Sequence, residues 1–154
     1  KEYDYVIDLD LTSPLRTVED IFNLIEKKKT FPELDVVFSV VESRRNPYFN
    51  MVKEEGESVS LVNASDFTSR QEAPIIYDMN ASMYLYDPKF LQDNEYIFNG
   101  KCGVIQMKDY MVLDIDSEED FKWMEYIYLK LLKEEMGIQD IYNHISKMMI
   151  FSAE

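Results

Sequence analysis

Residues 111–120, MVLDIDSEED, decide how the chain is read. Met111, Val112 and Leu113 form a short apolar run that predicts a strand. Alternate residues of a strand point to one side. Asp114 and Asp116 therefore aim both carboxylates at one place beyond its C-terminal end, where open α/β sheets bind ligands. Two hard oxygen donors there suit Mg2+ shared with substrate phosphates. The same residues fit a helix start: Ser117 with Asp120, or Asp116 with Glu119, has capping-box spacing. The two roles are compatible.

Outward from this stretch, the pattern alternates strand and helix. On its C-terminal side, 121–136 reads as the longest helix, with Phe121, Met124, Ile127, Tyr128, Leu131 and Leu132 facing inward, Gly137 as a C-cap and a further short helix over 138–149. On its N-terminal side, 103–107 (GVIQM) reads as a strand. At the start of the chain, 5–9 (YVIDL) is a strand closed by Thr12-Ser13-Pro14. Thr17-Val18-Glu19-Asp20 opens a helix to about Lys29, with Ile21, Leu24 and Ile25 inward, lysines in its last turn and Pro32 as its stop. Residues 35–41 (DVVFSVV) form a second buried strand. Strand, helix, strand is the unit of a parallel sheet with a right-handed crossover. The middle differs: 47–53 and 58–62 read as a hairpin, 64–77 as an ordered loop carrying Arg70, Gln71 and Pro74, 81–86 as a strand, and 87–91 as a short helix.

With 154 residues and 46% hydrophobic content, the chain is long enough for one domain with a core. Sixteen basic against thirty acidic residues give a net charge of −14, which excludes nucleic acid and anionic membranes as main partners. An acidic protein handling an anionic substrate must concentrate positive charge locally or use a metal. A single cysteine, Cys102, allows no internal disulfide and predicts a reducing, cytoplasmic setting. No apolar run approaches the roughly 18 residues of a membrane span. No signal peptide is visible, and a start at Lys1 rather than Met suggests a trimmed chain or a fragment.

Several groups are chemically capable but ambiguous by themselves. Arg70 can bind a carboxylate through two parallel hydrogen bonds, although a single loop arginine is by default a surface residue. Arg44-Arg45 is by default a solvated pair, and the single His144 lacks a Ser or Cys partner at a recognisable spacing. Tyr84 and Tyr86 alternate with Met83 and Leu85, so one face is core and one tyrosine can reach a site. Asp8-Leu9-Asp10-Leu11-Thr12 resembles the first motif of haloacid-dehalogenase-type, Mg2+-dependent phosphatases, with Asp8 as nucleophile and Asp10 as acid/base. Against this, Pro14 and the early helix leave no room for the flap of those enzymes, and no good lysine motif follows.

Three linked motifs resemble one family more specifically. Leu11-Thr12-Ser13-Pro14-Leu15-Arg16 is similar to the TSPLR segment of acylneuraminate cytidylyltransferases, the CMP-sialic acid synthetases. Arg70-Gln71 before Pro74, followed by Asn80 and Tyr84, resembles their RQxxPxxYxxNGxxY stretch, and DIDSEED resembles their DID motif and the helix after it. Order and spacing match from about Tyr3 to about Leu132. Arg45-Asn46-Pro47-Tyr48-Phe49 leans toward the bacterial branch that activates legionaminic-type sugars. In two places the chain departs from the family: Asp10 stands where glutamine is frequent, and Asn80-Ala81 stands where the family has Asn-Gly. The family's glycine-, lysine- and arginine-rich nucleotide loop would precede Lys1, so the resemblance implies a C-terminal portion that is inactive by itself.

The resemblance implies attack of a nine-carbon 2-keto sugar acid on the α-phosphate of CTP, giving a CMP-sugar and pyrophosphate for lipopolysaccharide or capsule synthesis. It implies Mg2+ on Asp114 and Asp116, and a sugar pocket with Asp10, Arg70, Asn80 and Tyr84. Ile97 and Phe98 match an apolar pair lent across a homodimer interface. The expected fold is α/β, a partial Rossmann-like three-layer α/β/α nucleotidyltransferase sheet, with its core over 1–46 and 102–154 and an extended β dimerisation arm over 47–101. A non-catalytic acidic dimerisation module is the remaining alternative.

Overall fold

A computed structural model describes residues 3–134 and 143–144. Its elements are β1 (Val6–Leu9), α1 (Val18–Thr30), β2 (Val36–Glu42), β3 (Val52–Glu55), β4 (Ser58–Leu61), β5 (Tyr77–Tyr86), α2 (Pro88–Asp93), β6 (Cys102–Gln106) and α3 (Glu118–Glu134). The result is a mixed α/β fold. Four strands make one sheet in the order β1-β5-β2-β6, and β3-β4 make a separate hairpin. The β2–β6 pair is parallel, and β5 runs antiparallel to both of its neighbours. Thus β1 and β2 run the same way, as the strand-helix-strand pattern requires, but β5 lies between them. β5 also falls inside 47–101, so the part of that segment outside the main sheet is the hairpin with its flanking loops and, after β5, α2 and a 3-10 turn at Ile97–Asn99.

α1 forms where its sequence says. Thr17 Oγ1 accepts from the Asp20 N–H while the Asp20 carboxylate accepts from the Thr17 N–H at 2.7 Å, a reciprocal cap. Leu24 is fully buried, with Ile21 and Ile25 beside it. One face of the sheet, carrying Val37, Val41, Met83, Leu85 and Ile105, packs against α1 and against Met124 and Leu131 of α3. The other face carries Val36, Phe38 and Val40, with Tyr84, Tyr86, Val104 and Phe90 of α2 against them.

Four expectations change. Met111-Val112 belongs to a 3-10 turn, Asp109–Val112, and not to a strand. Residues 47–50 form a turn before β3, and β5 begins four residues early, at Tyr77. Phe121 lies on the outer face of α3 and is exposed. The Leu132 side chain, Gly137 and the helix expected over 138–149, apart from residues 143–144, lie outside the described residues. His144 is exposed. Among the described residues no helix is long and apolar enough to cross a membrane.

Candidate functional site

Two of the sequence motifs are stitched together by the backbone. The Ile115 N–H donates to the Thr12 carbonyl at 2.9 Å, which ties the 114–116 segment to the loop that follows β1. Leu113 is extended (φ −72, ψ 130), and Leu113 and Ile115 both pack against the core. Alternation in an extended segment therefore turns Asp114 and Asp116 outward together. The helix start also resolves: Ser117 Oγ accepts from the Asp120 N–H and donates to its carboxylate at 2.7 Å. Asp116 is left out of the cap. Asp114 is half-buried and Asp116 exposed.

A buried polar network underlies these motifs. Asn80 is 3% exposed. Its Oδ1 accepts from the Ser39 hydroxyl at 2.6 Å, and its Nδ2 donates to the Met111 carbonyl at 3.0 Å. Its own carbonyl accepts from Ser13 Oγ at 3.2 Å. Ser82 donates to the Ser13 carbonyl, and Arg16 Nη1 donates to the carbonyls of Asp10, Ser13 and Ser82 at 2.8–3.0 Å. Buried polar groups must be satisfied in this way. The consequence is that β2, β5, the loop after β1 and the 3-10 turn are held in one register. Asn80 is thus a positioning residue behind the site, with its amide engaged internally. Arg16, Ser39 and Ser82 were not singled out from the sequence. The one available signal was a serine interrupting the apolar run at Ser39.

The second face of the sheet presents a row of rings. Tyr84 stacks on Tyr86 with centroids 6.0 Å apart, Phe38 lies 6.0 Å from both Tyr84 and Phe98, and Tyr96 meets Phe98 edge-on at 5.5 Å. Asp8 is the register partner of Tyr84. Burial, with Asp10 and Asp8 nearby, pushes the Tyr84 hydroxyl above its usual pKa, so it stays protonated. The Asp10 carboxylate accepts from the Thr12 hydroxyl and N–H, both at 2.7 Å, and these bonds, with a smaller contribution from Arg16, hold its pKa below the usual range. Asp10 thus lies near Tyr84, and Phe98 is linked to Tyr84 through Phe38. Ile97 is half-buried beneath them against the chain's own core.

Arg70 sits elsewhere, at the C-terminal end of β2. It donates to the Ser43 carbonyl at 2.6 Å and lies 3.7 Å from the Glu42 carboxylate. It lines a hollow of about 270 Å3 with Ser43, Asn46 and Pro74, in which Tyr84, Asp114 and Asp116 take no part. A cavity of about 870 Å3 lies between the start of α1 and the end of β6, against Thr17, Asn23, Gln106 and Asp109.

Comparison with curated proteins decides the relationship. The chain is 38% identical over 128 residues to Post-translational flagellin modification protein B of Campylobacter coli, covering 82% of this chain and 53% of that protein. It is 39% identical over 125 residues to the CMP-N,N'-diacetyllegionaminic acid synthase of Campylobacter jejuni, covering 81% of this chain and 53% of that protein. Over these residues the comparisons support a likeness to the acylneuraminate cytidylyltransferase family. An N-acylneuraminate cytidylyltransferase of Streptococcus agalactiae is 26% identical over 114 residues, covering 73% of this chain and 27% of that protein. No protein-family model matches the chain. The chain spans about half the length of the two Campylobacter relatives.

Likeness to the acylneuraminate cytidylyltransferase family gives one departure a physical meaning. Ala81 has φ +52, the left-handed region that favours glycine. It stands where the family motif has glycine after asparagine. The backbone here is what Asn-Gly demands, and Ala81 holds it at a cost in strain. Within β5 the register with β2 shifts here, and alanine in place of glycine removes the sequence signal for that irregularity.

Proposed function

We propose that the chain is part of a cytidylyltransferase that joins a nine-carbon 2-keto sugar acid of the sialic or legionaminic type to CTP, releasing pyrophosphate. The observation that carries this reading is the 2.9 Å bond from Ile115 to Thr12, which sets the two family motifs side by side with Asp114 and Asp116 outward. Homology to proteins named for this chemistry supports it.

Asp114 and Asp116 fit a divalent ion. They are adjacent hard donors, and neither has a hydrogen-bond or ion-pair partner among the described residues. Mg2+ needs only one or two carboxylates from the protein, because it keeps water and phosphate oxygens in its remaining positions. Bound there, the ion supplies charge neutralisation at the phosphates. The chain's own residues supply positioning. Tyr84, with Asp10 beside it and Phe98 beyond Phe38, lines the sugar, while Arg70, set in a separate hollow at the end of β2, meets an anionic group there. Asn80 and Arg16 keep the loops that carry these groups in register. In-line displacement of this kind depends mainly on such placement.

The β3–β4 hairpin and its flanking loops expose Val52, Val59 and Ile75, each at least 60% accessible. An apolar surface of this kind supports a dimerisation arm covered by a second copy. The same reading assigns a cytoplasmic setting, where CTP is made. We also propose that the chain by itself does not turn over CTP. Its three described glycines lie in the β3–β4 turn and around the start of β6, so none shapes a phosphate cradle between strand and helix.

Saturation-transfer NMR of the chain with N-acetylneuraminic acid and with legionaminic acid tests the reading. Transfer from aromatic protons to at least one acid, lost in Tyr84→Ala, is the expected result. If neither acid receives transfer from the folded chain, the sugar-acid reading is wrong.

A further inference from the structure

The chain has only four arginines, and three of them, Arg44, Arg45 and Arg70, gather at or near the C-terminal end of β2 in a protein of net charge −14. Two of these line a single cavity of about 320 Å3 with Glu42, Gln106, Met107 and Asp109. Each already faces a carboxylate. Arg44 grips Asp109 through Nε at 3.0 and 3.1 Å and also through Nη2, and Arg70 lies 3.7 Å from Glu42. The backbone holds Arg70 in place, because its guanidinium donates to the Ser43 carbonyl. That leaves N–H groups of the guanidinium fork for another acceptor.

We propose that this cavity is a two-arginine oxyanion site, with Asp109 as an internal stand-in that the ligand displaces from Arg44. The ligand chemistry is an oxyanion, either the carboxylate of an acidic sugar or a phosphoryl group. Three observations carry the assignment. The fork-on-carboxylate geometry of Arg44 and Asp109 is the one an incoming carboxylate or phosphate would adopt. The Arg44 side chain is 78% exposed and Asp109 49%, so the pair is solvent-screened and weak, and exchange is cheap. The Arg44 grip on Asp109 also holds the Asp109 carboxyl below its usual pKa, so Asp109 is a full negative charge in competition with any bound anion. The inference deepens the proposed function, giving Arg70 a second cation and naming Asp109 as a tuning residue.

Isothermal titration of the chain with two probes, N-acetylneuraminic acid and inorganic phosphate, tests it. Arg44→Ala should weaken binding of the responding probe about tenfold, the loss of a charge-assisted contact. Asp109→Asn should strengthen it about threefold, since an exposed competitor is removed. Arg45→Ala, which removes the same charge outside this cavity, should change neither. Circular dichroism confirms that each variant is folded. If phosphate responds and the sugar acid does not bind, the site stands as a phosphoryl site while the sugar-acid reading falls. If the sugar acid binds equally to wild type, Arg44→Ala and Asp109→Asn, the site is refuted and the sugar-acid reading stands. Binding of neither probe also refutes the site.

Discussion

Replacing Asn80 by alanine should destabilise the fold far more than one side chain at the edge of a candidate site normally would. The substitution removes the 2.6 Å bond from Ser39 and the 3.0 Å bond to the Met111 carbonyl. Ser39 keeps its contacts with Met83, accepting from the N–H at 3.0 Å, so its hydroxyl is only partly orphaned. The Met111 carbonyl loses the partner that fixes the turn before Asp114. Two lost bonds at about 1 kcal/mol each, plus the penalty for a buried acceptor, give about 2–4 kcal/mol. With a urea m-value of about 2 kcal/mol/M, the unfolding midpoint should fall by about 1–2 M. Asn80→Asp, close in shape, should do no better, because it offers Met111 an acceptor where a donor is needed. Pairing Ser39→Ala with Asn80→Ala should give a coupling of at least about 0.5 kcal/mol. A midpoint shift below about 0.3 M, read with that same m-value, would show that the network does not hold the motifs together.

Other outcomes follow from the same geometry. Ala81→Gly should stabilise the chain by about 0.5–1 kcal/mol in urea melts, the relief of left-handed strain less the greater freedom of glycine in the unfolded chain. The pH dependence has a definite sign. Asp10 and Asp109 both have folded-state pKa values below the ordinary carboxyl value, through the Thr12 bonds and the Arg44 pair respectively. Each therefore contributes stability above about pH 4 that is lost as pH falls through its folded value. The stability gap between wild type and Asp10→Asn should be present at pH 6 and close in acid; a gap independent of pH would contradict this cause.

The elements that were legible in the sequence are those whose signals are local. Thr17 and Asp20, with Ile21, Leu24 and Ile25, carry the cap and the buried stripe of α1 in one short segment. The apolar run of β2, broken only by Ser39, likewise required a strand buried on both faces. The segment before Asp114 misled because four residues of 3-10 turn with Met111 inward present the same apolar letters as a short strand. The first residues of β5, Tyr77-Asp78-Met79-Asn80, alternate apolar and polar letters over only four positions. Tyr77, Asp78 and Met79 are extended because they pair with Glu42, Val41 and Val40, a partner some forty residues away. The site shows the same division. Asp114 and Asp116 could be singled out as candidates because their relation spans two positions. The Asn80 hub and the Arg44–Asp109 pair were not, because they join residues 31 to 65 positions apart. The resemblance placed Arg70 and Tyr84 in one pocket, whereas the described residues set them at different parts of the sheet, Arg70 beyond the end of β2 and Tyr84 in the aromatic row.

The central claim, that Asp114 and Asp116 are held outward to take a divalent ion, is most directly tested by Mn2+ electron paramagnetic resonance. Adding the chain to a fixed Mn2+ solution should diminish the free-ion signal, Mg2+ should restore it, and Asp114→Ala or Asp116→Ala should abolish the loss while leaving the fold intact. A free-ion signal that falls equally with wild type and with both variants would mean that the ion, if bound at all, is held by other carboxylates of this acidic surface.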